Sequence, residues 1–524
     1  MELRPSTFLL LTFMNTLMAT VPMPLKEKPL KNKKSSSEPM MGEFIVPLVD
    51  GLSILLIKVV ELLGHAADWA INRYLFGRKP NESIKKIERK DLNNKRTTLL
   101  DDAIGYSVTR KRNLLGSELN RAAHTAVIGA SGSGKTVLLD NLMYEDMKQG
   151  KPVVYIDPKG DNESLINFIN LCKWTGREFY VFSEYWNGEG ACCLNPVKDG
   201  TSTNIADRIY HAFKWTEEHY GQICRDALED AIDSLQKNDG QVCIENIHKM
   251  LLEISDPKKK DDSQYTRDDI KGIESRLKKF IRSDFGPKLK GPEALSFKTI
   301  RESKRCVYIG LSVLGFAEIA RSLGKVILGD IAYSAYDTYK TISPSGKKDL
   351  GKMAIYIDEL SAVITDEFIE ILNKVRGAKM ELTFAFQSPS DIAKHDADLC
   401  VQVLENTANW FVLKQRIKSG AQMFSDSIGT IEAKKQTVRV QDGEEQAQGS
   451  QRVVEELIVH SNIIKNLNVG QCVLLRHYPT KIDLLNLKYI DPEILQENVK
   501  AIKKEVATKI KNETQPEFKR KTLV

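Results

Sequence analysis

Gly129-Ala130-Ser131-Gly132-Ser133-Gly134-Lys135-Thr136 stands between an apolar run, Thr125 to Ile128, and a helix-like stretch, Val137 to Met147. The octet fits G-x-x-x-x-G-K-[ST], and a strand before it with a helix after it is the setting in which that pattern cradles phosphate. Glycines at 132 and 134 let successive backbone N–H groups turn inward, Lys135 reaches toward the β- and γ-phosphates, and Thr136 is placed to ligate Mg2+. The competing reading is a Gly/Ser-rich turn that binds nothing. A chance match is expected on the order of a few per cent of the time in a chain this long.

Met353-Ala354-Ile355-Tyr356-Ile357-Asp358-Glu359 reads as a buried parallel strand ending in two carboxylates. Such an ending is common in ordinary strands, but downstream of a phosphate loop it has the Walker B shape. Asp358 is then expected to hold Mg2+ through water, and Glu359 to orient or deprotonate the attacking water. Pro152 to Ile156, Cys306 to Leu311, Leu382 to Phe386, Trp410 to Leu413 and Gln471 to Leu475 look like further strands of one largely parallel sheet. Gln387 closes one of them, either as a sensor of the γ-phosphate or as a simple polar cap. Arg376 precedes the same strand, either as an arginine finger reaching a neighbouring subunit or as a surface arginine. The catalytic set is thus Lys135, Glu359, Gln387 and Arg376, with ATP and Mg2+ as cofactors.

The rest of the 524 residues fits a soluble body with additions at both ends. The formal charge is only +6, which by itself names no nucleic-acid partner, and charged residues make up 28%. Basic residues gather instead: residues 71–96 hold nine Lys or Arg against three acids, and 500–521 hold eight against three. Eight scattered cysteines include no CxxC pair, which excludes the usual zinc and thioredoxin-like sites and fits a cytosol-facing chain.

From Ser6 to Met23 there is no charged side chain, a length just sufficient to span a bilayer. A cleaved signal is the alternative, but secretion would carry an ATP site to where ATP is scarce. Phe44 to Trp69 is apolar yet carries Asp50, Lys58, Glu61, His65 and Asp68, which at about 100° per residue share roughly a quarter of a helix circumference. That helix either lies in the interface or spans against partners. Between Thr201 and about Leu289 the strand pattern gives way to helical spacing. The expected organisation is a membrane anchor region at 1–70, a basic linker at 71–114, nucleotide-binding parts at 115–200 and 290–490, an inserted all-α domain at 201–289, and a basic C-terminal helix and tail at 491–524. Gln441 to Arg452 reads as a long loop or flexible hairpin.

His124 to Gly129, Ile156-Asp157-Pro158-Lys159-Gly160-Asp161, Leu194-Asn195-Pro196, Ile357 to Leu360, Arg376-Gly377, Phe386-Gln387-Ser388 and Ile428-Gly429 together resemble the type IV secretion coupling protein family over about residues 115–485. The resemblance implies a RecA-type P-loop α/β ATPase, anchored in the inner membrane with its body in the cytoplasm and assembled as a homo-hexamer. It implies single-stranded DNA with an attached protein, and the components of a secretion channel, as partners. In the family the insertion engages DNA or its protein escort, and the arginine matching Arg376 acts across the subunit interface. Two readings compete with a DNA pump: a receptor for protein substrates reset by hydrolysis, and a double-stranded DNA translocase, whose relatives lack the helical insertion.

Overall fold

The computed structural model describes residues 84–94, 102–256, 265–341, 351–365, 368–394, 396, 398–441, 444–497 and 499–500. Both expected membrane stretches and the tail beyond residue 500 lie outside the described residues. Among the described residues no helix is long and apolar enough to cross a membrane.

The strands are β1 (Ala103–Ser107), β2 (Arg112–Leu115), β3 (Thr125–Ile128), β4 (Val153–Asp157), β5 (Phe179–Phe182), β6 (Cys306–Gly310), β7 (Met353–Ile357), β8 (Met380–Phe386), β9 (Asn409–Val412), β10 (Thr430–Gln441), β11 (Glu444–Leu457), β12 (Gln471–His477) and β13 (Thr480–Leu487). Eleven of them form one sheet in the order β2-β1-β13-β12-β9-β3-β8-β7-β4-β6-β5. From β9 to β5 every neighbour is parallel. From β2 to β9 every neighbour is antiparallel. The expected largely parallel sheet is therefore present, but the Gln471 strand joins it in the opposite sense. The sheet also starts earlier than expected, because β1 and β2 fall inside the stretch taken for a linker. Their half-polar composition hides them: they pair at the sheet's margin and do not carry a continuous apolar run.

The parallel strands are mostly apolar because both faces are covered, with Thr125, Asp157, Glu381, Thr383 and Asn409 as buried polar exceptions. Ala126, Ile128, Val154, Ile156, Ile355 and Ile357 point into one core. Val127, Val153, Tyr155, Ala354 and Tyr356 point into the other. Helices α1 (Lys135–Lys148) and α2 (Asn162–Trp174) supply Leu138, Leu142, Leu165 and Phe168 to the second core. Four helices follow β5: α3 (Ser202–His211), α4 (Glu218–Lys237), α5 (Ile244–Ile254) and α6 (Arg267–Arg282). Thr201 caps α3, and Thr266 with Asp269 forms a capping box on α6, which fixes where these helices start. Their apolar stripes (Ile205, Leu228, Ile247, Ile273) belong to the same core as the first face of the sheet. The insertion is thus welded to the sheet. Three more helices matter here: α7 (Ala317–Thr341), α8 (Phe368–Gly377) and α9 (Lys418–Ile428). Buried Arg208 of α3 meets buried Asp330 of α7 at 3.2 Å, locking the insertion to the helix after β6.

β10 and β11 form a separate two-stranded ribbon. It begins at Thr430, well before the stretch read as a loop or hairpin. Beyond β13 the chain is helical at 492–497, with Leu495 buried against the sheet's second core.

Candidate nucleotide site

Register brings the chemistry to one edge. Ile128 pairs with Phe386 and Ile357 with Phe384, so Gly129, Asp358 and Gln387 all follow strands that end together. β8 separates the phosphate-loop strand β3 from β7.

The loop after β3 is tight. A Cβ on Gly129 would lie 2.5 Å from Ser133 Oγ and 2.7 Å from Leu413 Cβ, so only glycine fits. Gly134 sits at φ 101°, in the left-handed region, and hands the chain to α1. Lys135 Nζ folds back to donate to Gly129 O at 2.7 Å and more weakly to Ala130 O at 3.4 Å. Ser133 Oγ is buried without a hydrogen-bond partner. Thr136 lies in the first turn of α1. Two neighbours brace the loop: Gly470 N donates to Ser133 O at 3.2 Å, and Arg416 Nη2 donates to Ser131 O at 3.3 Å.

Asp358 is only 1% exposed. Its Oδ1 accepts from Glu359 N at 3.0 Å, and Lys159 Nζ approaches its Oδ2 at 3.4 Å. Glu359 holds φ 54° and ψ 60°, a conformation that costs a non-glycine residue about 1 kcal/mol or more. Gln387 Nε2 donates to Glu359 Oε2 at 3.1 Å, and Ser361 Oγ donates to Oε1 at 3.1 Å. Gln415 Nε2 donates to Gln387 O at 3.3 Å.

Burial pushes the Lys135 ammonium down, against the pull of Asp358 and Glu359. Lys159 is also penalised by burial, yet Asp358 carries its pKa above the usual value. Asp140, one turn beyond Thr136, is pushed up to about 8 by burial and by Asp358, Glu163 and Asp161. Asp157 is raised to about 6 by burial, even though Tyr308 donates to its Oδ2 at 2.7 Å. The edge therefore crowds several carboxyl groups around Asp358, and their crowding and burial favour their protonated forms.

Lys135, Asp358, Glu359 and Gln387 come together. Arg376 does not join them. It is exposed in the last turn of α8, before β8 begins, and its charge bears on His124 at the start of β3. That is the opposite edge of the sheet, a strand length or roughly 16 Å away. Lys159, Ser361 and Arg416 were missed as site residues. For Lys159 the signal was present, in the Asp157-Pro158-Lys159-Gly160-Asp161 run. Ser361 and Arg416 reach the site through loop geometry that no local pattern marks.

Residues 352–468 match the TraG-D_C family model, described as the TraM recognition site of TraD and TraG. Over 55 residues the chain is 38% identical to the type 4 coupling protein DotL of Legionella pneumophila; the match takes in 10% of this chain and 7% of that protein. The bacterial conjugative coupling protein TrwBdeltaN70, unbound, superposes with a TM-score of 0.54 at 15% identity, covering 79% of this chain and 96% of that one. In these matches the chain is similar to type IV coupling proteins. Plasmid coupling protein TrwB in complex with the ATP analogue ADPNP gives a TM-score of 0.55 at 15% identity, covering 79% and 96%. At that identity the likeness is one of fold: a mostly parallel sheet with helices on both faces. The aligned part of the coupling protein DotL is a small fraction of its length.

Proposed function

We propose that this chain hydrolyses ATP with Mg2+ and uses the cycle to pass a substrate, single-stranded DNA with its attached protein, to a type IV secretion or conjugation channel. The observation that carries the reading is the meeting of Lys135, Asp358, Glu359 and Gln387 on one sheet edge. The residues fit the cofactors: Ser133 Oγ is an orphaned buried polar atom, the loop amides around Gly132 and Gly134 are crowded by no side chain of their own, and the excess of buried carboxylates around Asp358 suits a dication.

Mg2+, held by Thr136 and through water by Asp358, would supply Lewis-acid charge at the phosphates. Lys135 would exchange its carbonyl partners for phosphate oxygens, whose negative charge offsets the burial that disfavours its ammonium. Glu359, fixed from both sides by Gln387 and Ser361, presents a carboxylate to a water and takes its proton. Gln387 ties that carboxylate to the end of β8, so a shift in either is felt by the other. Arg376, remote from its own loop, is suited to reach a neighbour's nucleotide in a homo-hexamer.

Steady-state hydrolysis of Mg·ATP by the full chain, with and without single-stranded DNA, tests the reading. No turnover at millimolar Mg·ATP would end it. Residues 352–468 also match the segment described as the TraM recognition site in TraD and TraG, which favours a protein-docking role beside the pump. Turnover raised by a protein substrate and indifferent to DNA would make the receptor the better description. Inactive Arg376→Ala rescued by mixing with Lys135→Ala would support sharing between subunits. The segments at 1–70 are proposed as an inner-membrane anchor, and 201–289 as the part that engages substrate.

A further inference from the structure

A cavity of about 920 Å³ opens directly beside the hydrolytic edge. Glu359, Ser361 and Gln387 form one wall, while the insertion contributes Phe213, Lys214 and Arg276 and helix α7 contributes Arg321 and Lys325. Six cationic side chains line it against three carboxylates. Each carboxylate is already engaged: Glu318 by Lys279 at 2.9 Å, Asp391 by Lys394 at 3.2 Å, and Glu359 by Gln387 at 3.1 Å. Lys394 is taken up by Asp391 and Lys159 reaches Asp358 at 3.4 Å, and the cations of the lining still outnumber its carboxylates.

The insertion's side is built and held. Arg276 Nη2 donates to Lys214 O at 2.9 Å and Nη1 to Gly272 O at 3.0 Å, and its guanidinium lies 4.2 Å over the Trp215 ring. The turn bearing Lys214 is thereby pinned to α6, with the Lys214 side chain exposed. Arg321 and Lys325, one helical turn apart on α7, line the same cavity.

We infer that this cavity is a second phosphate-binding site, distinct from the loop at Gly129–Thr136, in which Lys214, Arg321 and Lys325 hold a phosphate oxyanion within reach of the Glu359–Gln387 pair. The inference rests on the hydrolytic reading of that pair. Two sources share the chemistry: orthophosphate leaving the hydrolytic edge, and the backbone of a single-stranded nucleic acid. Either way, occupancy of a space walled by the insertion on one side and Glu359 on the other links the insertion to the hydrolysis step.

The experiment compares the full chain with a Lys214→Glu/Arg321→Glu variant and with the milder Lys214→Gln/Arg321→Gln variant. Binding of a fluorescent dT oligonucleotide is read by anisotropy, binding of orthophosphate by calorimetry, and ATP turnover is measured with each added. The expected result is that at least one ligand binds the wild type and shifts its turnover, and that its half-effect concentration rises at least about tenfold in both variants, more with Glu than with Gln. Phosphate alone showing this assigns an exit route; the oligonucleotide alone assigns a strand site. Equal binding and equal response in all three proteins would overturn the inference while leaving the ATPase reading intact. Basal turnover absent from the wild type would instead remove that reading, and the two binding measurements would still decide whether the cavity takes phosphate. Matching thermal melts for wild type and the Gln variant guard against misfolding.

Discussion

Strands β7 and β8 carry two polar regions built in opposite ways. Against one face, Arg121 donates to Asp146 at 2.8 Å, to Tyr356 at 2.8 Å and to Thr383 at 3.1 Å, while Lys151 bridges Asp146 and Glu381 at 2.8 Å each. Burial works to raise the Asp146 carboxyl, but Arg121 and Lys151 outweigh it and hold the pKa below the usual value. Just past Tyr356 come Asp358 and Glu359, the latter in a left-handed conformation, and the same edge holds a lysine folded onto carbonyls and a serine hydroxyl with no partner. The first region is closed within the chain apart from Arg121 Nε, a buried donor without a hydrogen-bond partner. The second keeps donors and acceptors in reserve, which is what a site needs if ligand is to complete it.

The comparison predicts that mutations at the edge change turnover and leave the fold intact, while mutations in the interior do the reverse. Lys135→Ala has the largest expected effect: ATP turnover falls by about 10³-fold or more, with the denaturation midpoint nearly unchanged. Glu359→Gln, measured by single-turnover hydrolysis, slows the reaction by about 10²- to 10³-fold while nucleotide is still retained. A Glu359→Gln protein with normal single-turnover rates would take the base role away from Glu359. Next comes the interior: Asp146→Ala leaves Arg121 uncompensated and destabilises the fold by about 3 kcal/mol in chemical denaturation. Loss of turnover in Asp146→Ala with stability unchanged would break the distinction between the regions.

His124 extends the closed region. Leu382 N donates to its Nδ1 at 3.2 Å and its Nε2 lies 2.8 Å from Leu372 O, a pattern only the neutral ring with its proton on Nε2 satisfies. Burial first, with Arg376 adding to it, lowers its pKa to about 4; the Leu372 carbonyl and Glu381 oppose that shift. As pH falls through about 6.5 the unfolded chain takes up a proton that the folded chain refuses until about pH 4. Stability from this residue is therefore whole above pH 6.5 and declines toward pH 4, by up to roughly 3 kcal/mol. Urea midpoints across that range should show the decline in the wild type and a flatter profile in His124→Gln.

How much of this was legible follows from the same physics. Strands buried on both faces carry apolar runs, so β3, β4, β6, β7 and the Leu382–Phe386 part of β8 announce themselves, and with them the edge where Gly129, Asp358 and Gln387 lie. Strands at the margin carry mixed sequences. Thr480–Leu487 alternates polar and apolar residues, and Phe179–Phe182 is four residues of half-buried edge, so neither stood out. The β10–β11 ribbon, rich in Lys, Gln and Glu, has no sheet core to demand apolar residues. Long α7 went unread because Tyr, Ser and Gly interrupt its apolar stripe. At the site, Lys135 and the two acids lie in local motifs, whereas the contacts of Ser361 and Arg416 depend on where distant loops arrive.

The smallest expected effect gives the sharpest test of the edge's design. Gln387 touches Glu359 by one hydrogen bond and is itself held through its carbonyl by Gln415. If its role is to aim the carboxylate, Gln387→Ala leaves Ser361 as the remaining side-chain anchor, and turnover falls by about tenfold, close to the 1.4 kcal/mol of one hydrogen bond to a charged group. Nucleotide affinity should hardly move, because the hydrogen bond of the amide goes to Glu359 and not to the proposed phosphate loop. A positioning role also predicts additivity: Gln387→Ala combined with Ser361→Ala should cost more than either alone, whereas Gln387→Ala on a Glu359→Gln background should cost almost nothing further. Single-turnover rates for wild type, Gln387→Ala, Glu359→Gln and the Gln387→Ala/Glu359→Gln double variant settle it. A full tenfold loss on the Glu359→Gln background would mean that Gln387 acts on the water or the phosphate directly and not through Glu359.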